Sequence, residues 1–212
     1  MSLSLFGGHG DPEYLTAHTV LLSGYVLEEA EWIQQELSAL VQQAPFRRMV
    51  TPQGKMSVDT TSWGPWGWTS DDKGYRYAKF DPITQNKWPA IPKPLLGLAS
   101  KAAERAGYTG FIPDSCLVNR YSGQAKMGLH QDKNERDFNQ PIVSFSLGAS
   151  ATFLWGGNTR SDPVSRLTLH HGDVLVFGGP DRLRFHGIAG LLPSLETDQP
   201  LYRLNLTFRK VA

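Results

Sequence analysis

Two stretches of the chain repeat apolar residues at the spacing of one helical face. From Leu27 to Ala44 the apolar residues recur every three or four positions, and glutamates stand near the start, where the helix dipole favours negative charge. Pro45 ends this stretch. A second helix is predicted from Pro94 to Ala106, with proline in its first turn and Gly107 just beyond its end. Both predicted helices lie in the first half of the chain.

After Asp114 the pattern changes to short runs that suit strands, each bounded by Gly, Pro, Asn or Asp. The predicted strands are Ser115–Tyr121, Pro141–Gly148, Ala151–Trp155, Ser165–Leu169, Asp173–Gly178, Leu183–Ile188 and Leu201–Arg209. Seven closely spaced short strands downstream of the helices indicate a β-sandwich or a rolled-up barrel. We therefore predict a mainly β fold, a double-stranded β-helix or jelly roll, with flanking N-terminal helices.

The region between the two predicted helices has a different composition. Residues 46–92 are rich in Gly, Pro, Trp and Tyr, and their short alternating pieces predict hairpins and a flexible cover rather than core. A chain of 212 residues suits one structural domain. Within it we predict an N-terminal extension and helix at 1–44, a cover at 45–92 and a jelly-roll core at 93–212.

Cysteine usage and charge restrict where the protein acts and what it binds. Cys116 is the single cysteine, and the N-terminus has no basic region or long apolar run, so we expect a cytoplasmic protein. The net charge is +1, but residues 1–46 hold six acids and no Lys or Arg. The remaining 166 residues therefore carry 21 basic and 14 acidic groups, a net charge of +7. That surface could serve an anionic partner such as nucleic acid, or it could be an ordinary mixed surface.

The last predicted strand has an unexpectedly polar face. Arg203 and Arg209 share this face and stand about 20 Å apart along the strand. Two extended arginines would leave a gap of about one small dicarboxylate, and a guanidinium binds two carboxylate oxygens at once. The face could instead point into water, as in an ordinary surface strand. The polar residues on it are Arg203, Asn205, Thr207 and Arg209, and an earlier strand presents Asn119 and Tyr121 together as two further donors.

A histidine and an aspartate two residues apart indicate a metal site. In a strand their side chains point the same way, so His130 and Asp132 can bind one ion. His186, at the end of a later strand, is available as a third ligand. Two histidines and a carboxylate leave the other metal positions open, as expected of non-haem Fe(II) oxygenases. Taken singly, each histidine could equally be structural, but the arginine pair after His186 indicates a co-substrate that chelates iron at one end.

The metal and arginine motifs follow one another along the chain, downstream of a stretch rich in aromatic and basic residues. The core motifs are Asn119–Tyr121, His130–Lys133, His186–Gly187 and Arg203–Arg209, and the upstream motifs are Pro45–Arg47, Met49–Pro52, Met56–Val58, Gly67–Thr69 and Gly74–Tyr77. From Pro45 to Arg209 the chain resembles the AlkB-type nucleic-acid dealkylases, in their bacterial DNA-repair branch, within the Fe(II)/2-oxoglutarate dioxygenases. The resemblance implies removal of methyl groups from N-alkylated bases, such as N1-methyladenine and N3-methylcytosine, with release of formaldehyde, succinate and CO2.

The resemblance also implies roles for individual residues. Fe(II) would be bound by His130, Asp132 and His186, and O2 would take an open metal position. Arg203, with Tyr121 and Asn205, would bind the distal carboxylate of 2-oxoglutarate, while the catalytic Arg209 and Asn119 would lie near the end that chelates iron. Trp68 would stack on the target base opposite His130, and Tyr75, Thr51, Met49 and Arg160 would line the opening or touch the nucleic-acid backbone. The partner would be alkylated single- or double-stranded DNA, or RNA, bound by a monomer.

One position departs from the bacterial enzymes that the sequence resembles. Asn134 stands where they have an acidic residue that contacts the base. N1-methyladenine and N3-methylcytosine are cationic, so a carboxylate would attract them more strongly than an amide does. Asn can still accept a hydrogen bond from the exocyclic amine. The sequence therefore predicts a weaker preference for cationic lesions.

Two other functions remain open from the residues alone. A 2-oxoglutarate hydroxylase acting on a protein or a small molecule would share the metal ligands and the arginines, but it would not need the aromatic cover. A metal-free jelly-roll binding module would bind neither Fe(II) nor 2-oxoglutarate. Release of formaldehyde from a methylated oligonucleotide separates the first of these from a nucleic-acid dealkylase.

Overall fold

The computed structural model describes residues 10–51, 54–72, 74–193 and 202–212, which form fifteen strands and two α-helices. The helices are α1 (Ala30–Gln43) and α2 (Lys93–Arg105). The strands are β1 (Pro12–Thr16), β2 (Thr19–Leu22), β3 (Val50–Thr51), β4 (Gly54–Lys55), β5 (Asp59–Trp63), β6 (Gly67–Asp71), β7 (Gly74–Ala78), β8 (Ser115–Ser122), β9 (Met127–His130), β10 (Ile142–Gly148), β11 (Ala151–Trp155), β12 (Ser165–Leu169), β13 (Val174–Phe177), β14 (His186–Leu191) and β15 (Tyr202–Arg209). Neither helix is long and apolar enough to cross a membrane.

Two antiparallel sheets form the jelly roll. The larger sheet has the strand order β1-β2-β13-β10-β15-β8-β5, and the smaller has the order β12-β11-β14-β9. One apolar cluster packs α1 and α2 against the outer face of the larger sheet. A second cluster, which includes Tyr121, Phe153 and Phe177, joins the larger sheet to the smaller one. The fold is therefore mainly β with flanking helices, as the sequence predicts.

Strand β15 is buried on both faces, which excludes the surface-strand alternative. Leu204, Leu206 and Phe208 belong to the cluster that packs against the helices. The opposite, polar face is buried as well, and its members Arg203, Asn205, Thr207 and Arg209 all line the cavity inside the roll. Two buried arginines need compensating partners, because a buried charge without a partner costs roughly several kcal/mol. The polar face therefore lines the interior of the roll and does not face water.

Most predicted elements are confirmed, with shifted ends. Helix α2 begins one residue before the predicted start. Helix α1 begins at Ala30 instead of Leu27, because Val26 N donates to Gly172 O (3.0 Å) and holds the preceding residues outside the helix. Strand β14 begins at His186 rather than Leu183, since the 3₁₀ turn Gly179–Asp181 and the bond from Arg184 N to Asp181 O (3.1 Å) continue as a turn. Leu201 lies outside the described residues.

The first half of the chain contains three strands of the larger sheet that the sequence analysis did not predict. The N-terminal extension contains strands β1 and β2, which pair with each other and extend the larger sheet beside β13. Strand β5, predicted to belong to the cover, is instead an edge strand of the larger sheet, paired with β8. The sequence does not predict β5 as a strand, because its buried residues Thr60, Thr61 and Ser62 are polar and show no apolar alternation.

The remaining part of the predicted cover is a pair of small hairpins, β3–β4 and β6–β7. The β6–β7 hairpin rests on the buried Trp88, whose Nε1 donates to Ala78 O (3.0 Å). A carboxylate–guanidinium pair between Asp81 and Arg47 holds the connection that follows β7. Gly67 passes so close to Trp88 that a Cβ atom there would lie 2.1 Å from the indole ring.

We expect Gly67→Ala to destabilise the fold by about 1–3 kcal/mol, because the added methyl group overpacks the contact with Trp88. Gly97→Ala is the matched control, since Gly97 lies in α2 with no atom within 4 Å of its Cβ position. That change should stabilise the fold by about 0.5–1 kcal/mol through lower backbone entropy. Urea unfolding followed by far-UV circular dichroism measures both. Equal free energies of unfolding for the two variants would contradict the close contact.

Candidate active site

Strand pairing brings the three predicted metal ligands together. His130 ends β9, His186 begins β14, and the two residues are direct partners in the antiparallel pairing of these strands. Asp132 follows two residues after His130. His130 Nε2 lies 3.7 Å from Asp132 Oδ1, and His186 Nε2 lies 3.8 Å from Asp132 Oδ2. The ligand atoms of the three residues all lie within 4.8 Å of one another, a group that can hold one metal ion.

Backbone carbonyls orient both imidazole rings. His130 Nδ1 lies 3.0 Å from Gly128 O, and His186 Nδ1 lies 3.0 Å from Arg184 O. A proton on each Nδ1 satisfies these carbonyls and leaves each Nε2 with a lone pair for a metal. Burial, together with the neighbouring His130, lowers the pKa of His186 to about 4, so its ring is neutral near pH 7. A neutral ring is the form that binds a metal.

Arg209 holds the carboxylate of Asp132 in place. Its Nε and Nη2 donate to Asp132 Oδ2 at 3.0 and 2.6 Å. Burial alone would raise the pKa of Asp132, but the charges of Arg209, His186 and His130 outweigh it and hold the pKa well below its usual range. The carboxylate is therefore ionised whenever a metal could bind.

A buried ionic network surrounds this pair, and the sequence reasoning missed it. Glu135 accepts a hydrogen bond from Arg182 Nη2 (2.9 Å) and lies 3.5 Å from Arg209 Nε. Arg182 Nη1 also donates to Asp132 O (2.7 Å). From the cover, Tyr77 donates its hydroxyl to Glu135. Glu135 and Arg182 each stand among polar residues, as charged residues of exposed loops do. Nothing in the sequence therefore indicates that they are buried.

At the other end of β15, Arg203 is a buried cation with free donors. Its side chain is 1% exposed, its Nη2 donates to Ser146 Oγ (2.8 Å), and its guanidinium lies 5.3 Å from the ring centre of Tyr121. Among the described residues, neither its Nε nor its Nη1 has a hydrogen-bond partner. A buried guanidinium with two unused donors is costly unless an anion completes the site. The arrangement suits a carboxylate, which accepts two parallel N–H bonds.

Polar side chains connect the two arginines along the cavity wall. Asn205 Nδ2 donates to Ser144 Oγ (2.8 Å), and Asn205 Oδ1 accepts from Asn119 Nδ2 (3.3 Å) and Thr207 Oγ1 (3.1 Å). Asn119 Oδ1 and Arg209 Nη1 are buried without a hydrogen-bond partner in the described chain. The wall from the metal ligands to Arg203 is therefore lined by donors and acceptors that a polar ligand can use.

One cavity of about 890 Å³ joins the metal ligands, the polar wall and the cover. This volume is at the upper end for small-molecule sites, so the cavity can take a dicarboxylate and a second ligand together. Trp68 and Tyr75 of the β6–β7 hairpin stack on each other at the cavity, with ring centres 5.6 Å apart. The other cavity residues singled out from the sequence are Thr51, Asn119, Tyr121, His130, Asp132, Asn134, Arg160, His186, Arg203, Asn205 and Arg209.

Met49 is the one site residue of the sequence prediction that the structure does not place at the cavity. It is 5% exposed and is absent from the cavity wall, whereas Val50 beside it is exposed. Met49 O accepts a hydrogen bond from Met56 N (3.0 Å), and Met56 lines the cavity. The apolar thioether of Met49 is buried inside the protein, so the structure does not bring it together with the other predicted site residues.

Comparison with known proteins agrees with this geometry. The family model for the 2OG-Fe(II) oxygenase superfamily matches residues 18–209. The chain is 47% identical over 199 residues to the alpha-ketoglutarate-dependent dioxygenase AlkB of Escherichia coli K12, covering 93% of this chain and 92% of that protein. It is 46% identical over 201 residues to AlkB of Salmonella typhimurium, covering 94% and 93%.

A solved structure supports the same assignment. The structure of OsALKBH1 superposes with a TM-score of 0.81 at 29% identity, covering 94% of this chain and 99% of that chain. An oxidoreductase of the 2OG-Fe(II) oxygenase family from Burkholderia pseudomallei, 17% identical with a TM-score of 0.57, shares the fold. The His–Asp–His group, the buried Arg203 with its unused donors and the extent of these matches lead to one conclusion. The chain belongs to the 2OG-Fe(II) oxygenase superfamily and, within it, to the AlkB-type dioxygenases.

Proposed function

We propose that this dioxygenase removes N-linked methyl groups from bases of DNA or RNA and thereby repairs alkylation damage by direct reversal. The observation that supports it best is one cavity with three parts. The metal ligands, the buried cation Arg203 and the stacked Trp68–Tyr75 pair all line it. The curated relatives with the AlkB name are alpha-ketoglutarate-dependent dioxygenases. Relatives of the ALKBH1 type include a DNA N(6)-methyladenine demethylase of Arabidopsis thaliana, 35% identical over 166 residues.

The residues present fit the Fe(II) and 2-oxoglutarate that the family uses. Two imidazoles and one carboxylate are the ligand set of non-haem Fe(II) oxygenases, and Arg203 has donors free for a carboxylate. When bound, Fe(II), 2-oxoglutarate and O2 together supply an oxidation that hydroxylates the methyl carbon, with succinate, CO2 and then formaldehyde as products.

The protein's own residues position these groups. His130 and His186 offer Nε2 because backbone carbonyls fix each Nδ1, and Arg209 fixes the Asp132 carboxylate. We assign the distal carboxylate of 2-oxoglutarate to Arg203, assisted by Tyr121 and Asn205. Burial raises the pKa of Tyr121 to about 12, so its hydroxyl remains a hydrogen-bond donor. Asn119 and the free Nη1 of Arg209 would contact the end of the keto acid nearer the metal.

The cover binds the base in this proposal. A base inside a duplex cannot reach a metal at the bottom of a cavity, so it must be flipped out or belong to a single strand. Trp68 would stack on it, on the side opposite His130, while Asn134 would contact its edge. Tyr75, Thr51 and Arg160 line the cavity and would contact the nucleic-acid backbone at its opening. Lys126 and Lys133 also line the cavity and add positive charge for phosphates.

We further propose that the enzyme acts as a monomer in the cytoplasm. A single chain supplies every metal ligand and both arginines of the site. Its only cysteine, Cys116, is buried as a free thiol, as suits a reducing compartment.

The function is tested by loading the enzyme with Fe(II) and 2-oxoglutarate under argon, then adding air and methylated oligonucleotides. We expect formaldehyde and succinate from the parent and neither product from His130→Ala or Asp132→Ala. Trp68→Ala should still form succinate without an oligonucleotide, but its KM for the oligonucleotide should rise about five- to a hundredfold, the equivalent of 1–3 kcal/mol of base stacking.

Trp66→Ala is the control for Trp68, because Trp66 lies in the same segment but does not line the cavity. Its KM for the oligonucleotide should match the parent. Succinate formation without any formaldehyde from the oligonucleotides would instead favour a hydroxylase that acts on a protein or a small molecule. An unchanged KM in Trp68→Ala would exclude the stacking role alone.

We expect Arg203→Met to raise the KM for 2-oxoglutarate at least about thirtyfold, because loss of one partner from a buried charge pair costs roughly 2 kcal/mol or more. Binding of Co(II) without 2-oxoglutarate should be unaffected. Arg166→Met removes an exposed arginine from β12 and serves as the control. Steady-state succinate formation measures the KM. A parent-like value in Arg203→Met would place the dicarboxylate elsewhere.

We expect Asn134→Asp to increase the preference for N1-methyladenine over a neutral methylated base by about tenfold, since a hydrogen bond to a charged group is about 1 kcal/mol stronger or more. The measurement is kcat/KM for both bases in the same oligonucleotide. Asn139→Asp adds the same charge to the same loop outside the cavity wall and should change the ratio little. Equal selectivity of Asn134→Asp and the parent would rule out this role for position 134.

A further inference from the structure

The turn between β1 and β2 is bonded to the loop that carries the metal ligand His186. Thr16 and Thr19, at the two ends of this turn, both donate their hydroxyls to Asp181 Oδ2, at 2.6 Å from Thr19. Gly178 N donates to His18 O (3.2 Å) within the same contact. The turn and the loop are more than 150 residues apart in the sequence. The β1–β2 hairpin therefore packs against the loop 178–185, which leads into His186.

Asp181 links the turn to Arg184, because its carboxylate bonds to both. The carboxylate is buried, with 5% exposure, and its Oδ1 accepts from Arg184 Nη1 (3.0 Å). Arg184 Nε donates to Gly156 O (2.7 Å), and the guanidinium lies 5.1 Å from the ring centre of Trp155. Three separate contacts thus hold the side chain of Arg184 and restrict the backbone that carries it.

The backbone of Arg184 is itself a partner of the metal site. Its carbonyl oxygen lies 3.0 Å from His186 Nδ1 and fixes which ring nitrogen faces the metal. A shift of this carbonyl would rotate the imidazole or release it. Removal of one partner from a buried ion pair destabilises a fold, so a loss of stability alone does not distinguish the role of Asp181. What distinguishes Asp181 is that its bonds to the turn and to Arg184 also fix the backbone that precedes His186.

We propose that Asp181 and Arg184 are positioning residues through which the β1–β2 hairpin orients His186 and strengthens metal binding. This role goes beyond the proposed demethylation and holds whatever substrate the enzyme accepts. It gives a function to β1 and β2, which supply no ligand to the metal group found among the described residues.

The test measures Co(II) affinity of the apo enzyme by its visible absorption, without 2-oxoglutarate or oligonucleotide. The variants are Asp181→Asn, Arg184→Met and the double change Thr16→Val with Thr19→Val, which keeps side-chain shape but removes both hydroxyls. We expect the dissociation constant to rise about tenfold, the lower end of the range for loss of a group that orients a metal ligand. The double change Thr16→Ser with Thr19→Ser restores the hydroxyls and should restore the parent affinity.

Asp173→Asn is the matched control for a merely structural role. Asp173 is also buried and also joins the N-terminal segment to the sheet, accepting from Gly24 N (2.9 Å) and His170 N (2.7 Å). We expect it to lower the urea midpoint as Asp181→Asn does, with a change in Co(II) affinity below twofold. Parent-like affinity in the Asp181 and Thr variants, an equal loss in Asp173→Asn, or no rescue by serine would each overturn the proposal.

Discussion

The structure depends on how the two guanidinium groups inside the roll are compensated. β15 carries Arg203 and Arg209 into an interior where, roughly, an unpaired charge costs several kcal/mol. Arg209 is compensated by the protein, since Asp132 and Glu135 both lie within 3.5 Å of it. Arg203 donates to the hydroxyl of Ser146 and lies beside the Tyr121 ring, while its Nε and Nη1 have no hydrogen-bond partner within the described residues. The same strand therefore provides one completed ionic site and one that an anion must complete.

This asymmetry supports the orientation that we propose for the keto acid. The compensated end includes Asp132, whose carboxylate also belongs to the metal group, so positive charge at that end is already balanced before a metal arrives. In the proposed site, the distal carboxylate of the keto acid would bind at the uncompensated end. Its chelating end would then lie toward His130 and His186, on the same buried strand's side of the cavity.

Residue patterns predicted the strands, the helices and the metal ligands because each of these leaves a local mark. His130 and Asp132 are two residues apart, and the alternation in β15 is visible in the sequence itself. Burial of polar residues leaves no such mark. Glu135 and Arg182 read as ordinary surface charges, Thr60 to Ser62 show no strand pattern, and Met49 looks as accessible as Thr51. Only the three-dimensional arrangement decides which polar groups are buried, because their partners lie far away in the sequence. Arg182 and Glu135, for example, bond to each other across 47 residues.

The hydrogen bonds of Asp181 show the same limit at longer range. Thr16, Asp181, Arg184 and His186 form a continuous path from the N-terminal hairpin to a metal ligand, yet no spacing in the sequence relates the first of these residues to the last. The path also differs in kind from the contacts of Asp132. Arg209 acts on Asp132 directly through charge, which is strong at short distance in a buried site. The hairpin acts on His186 only through the direction of one carbonyl group. The charge of Arg209 therefore holds the carboxylate of Asp132, whereas the imidazole of His186 is held only by the direction of one hydrogen bond. Of the two ligands, His186 is the more sensitive to changes elsewhere in the fold.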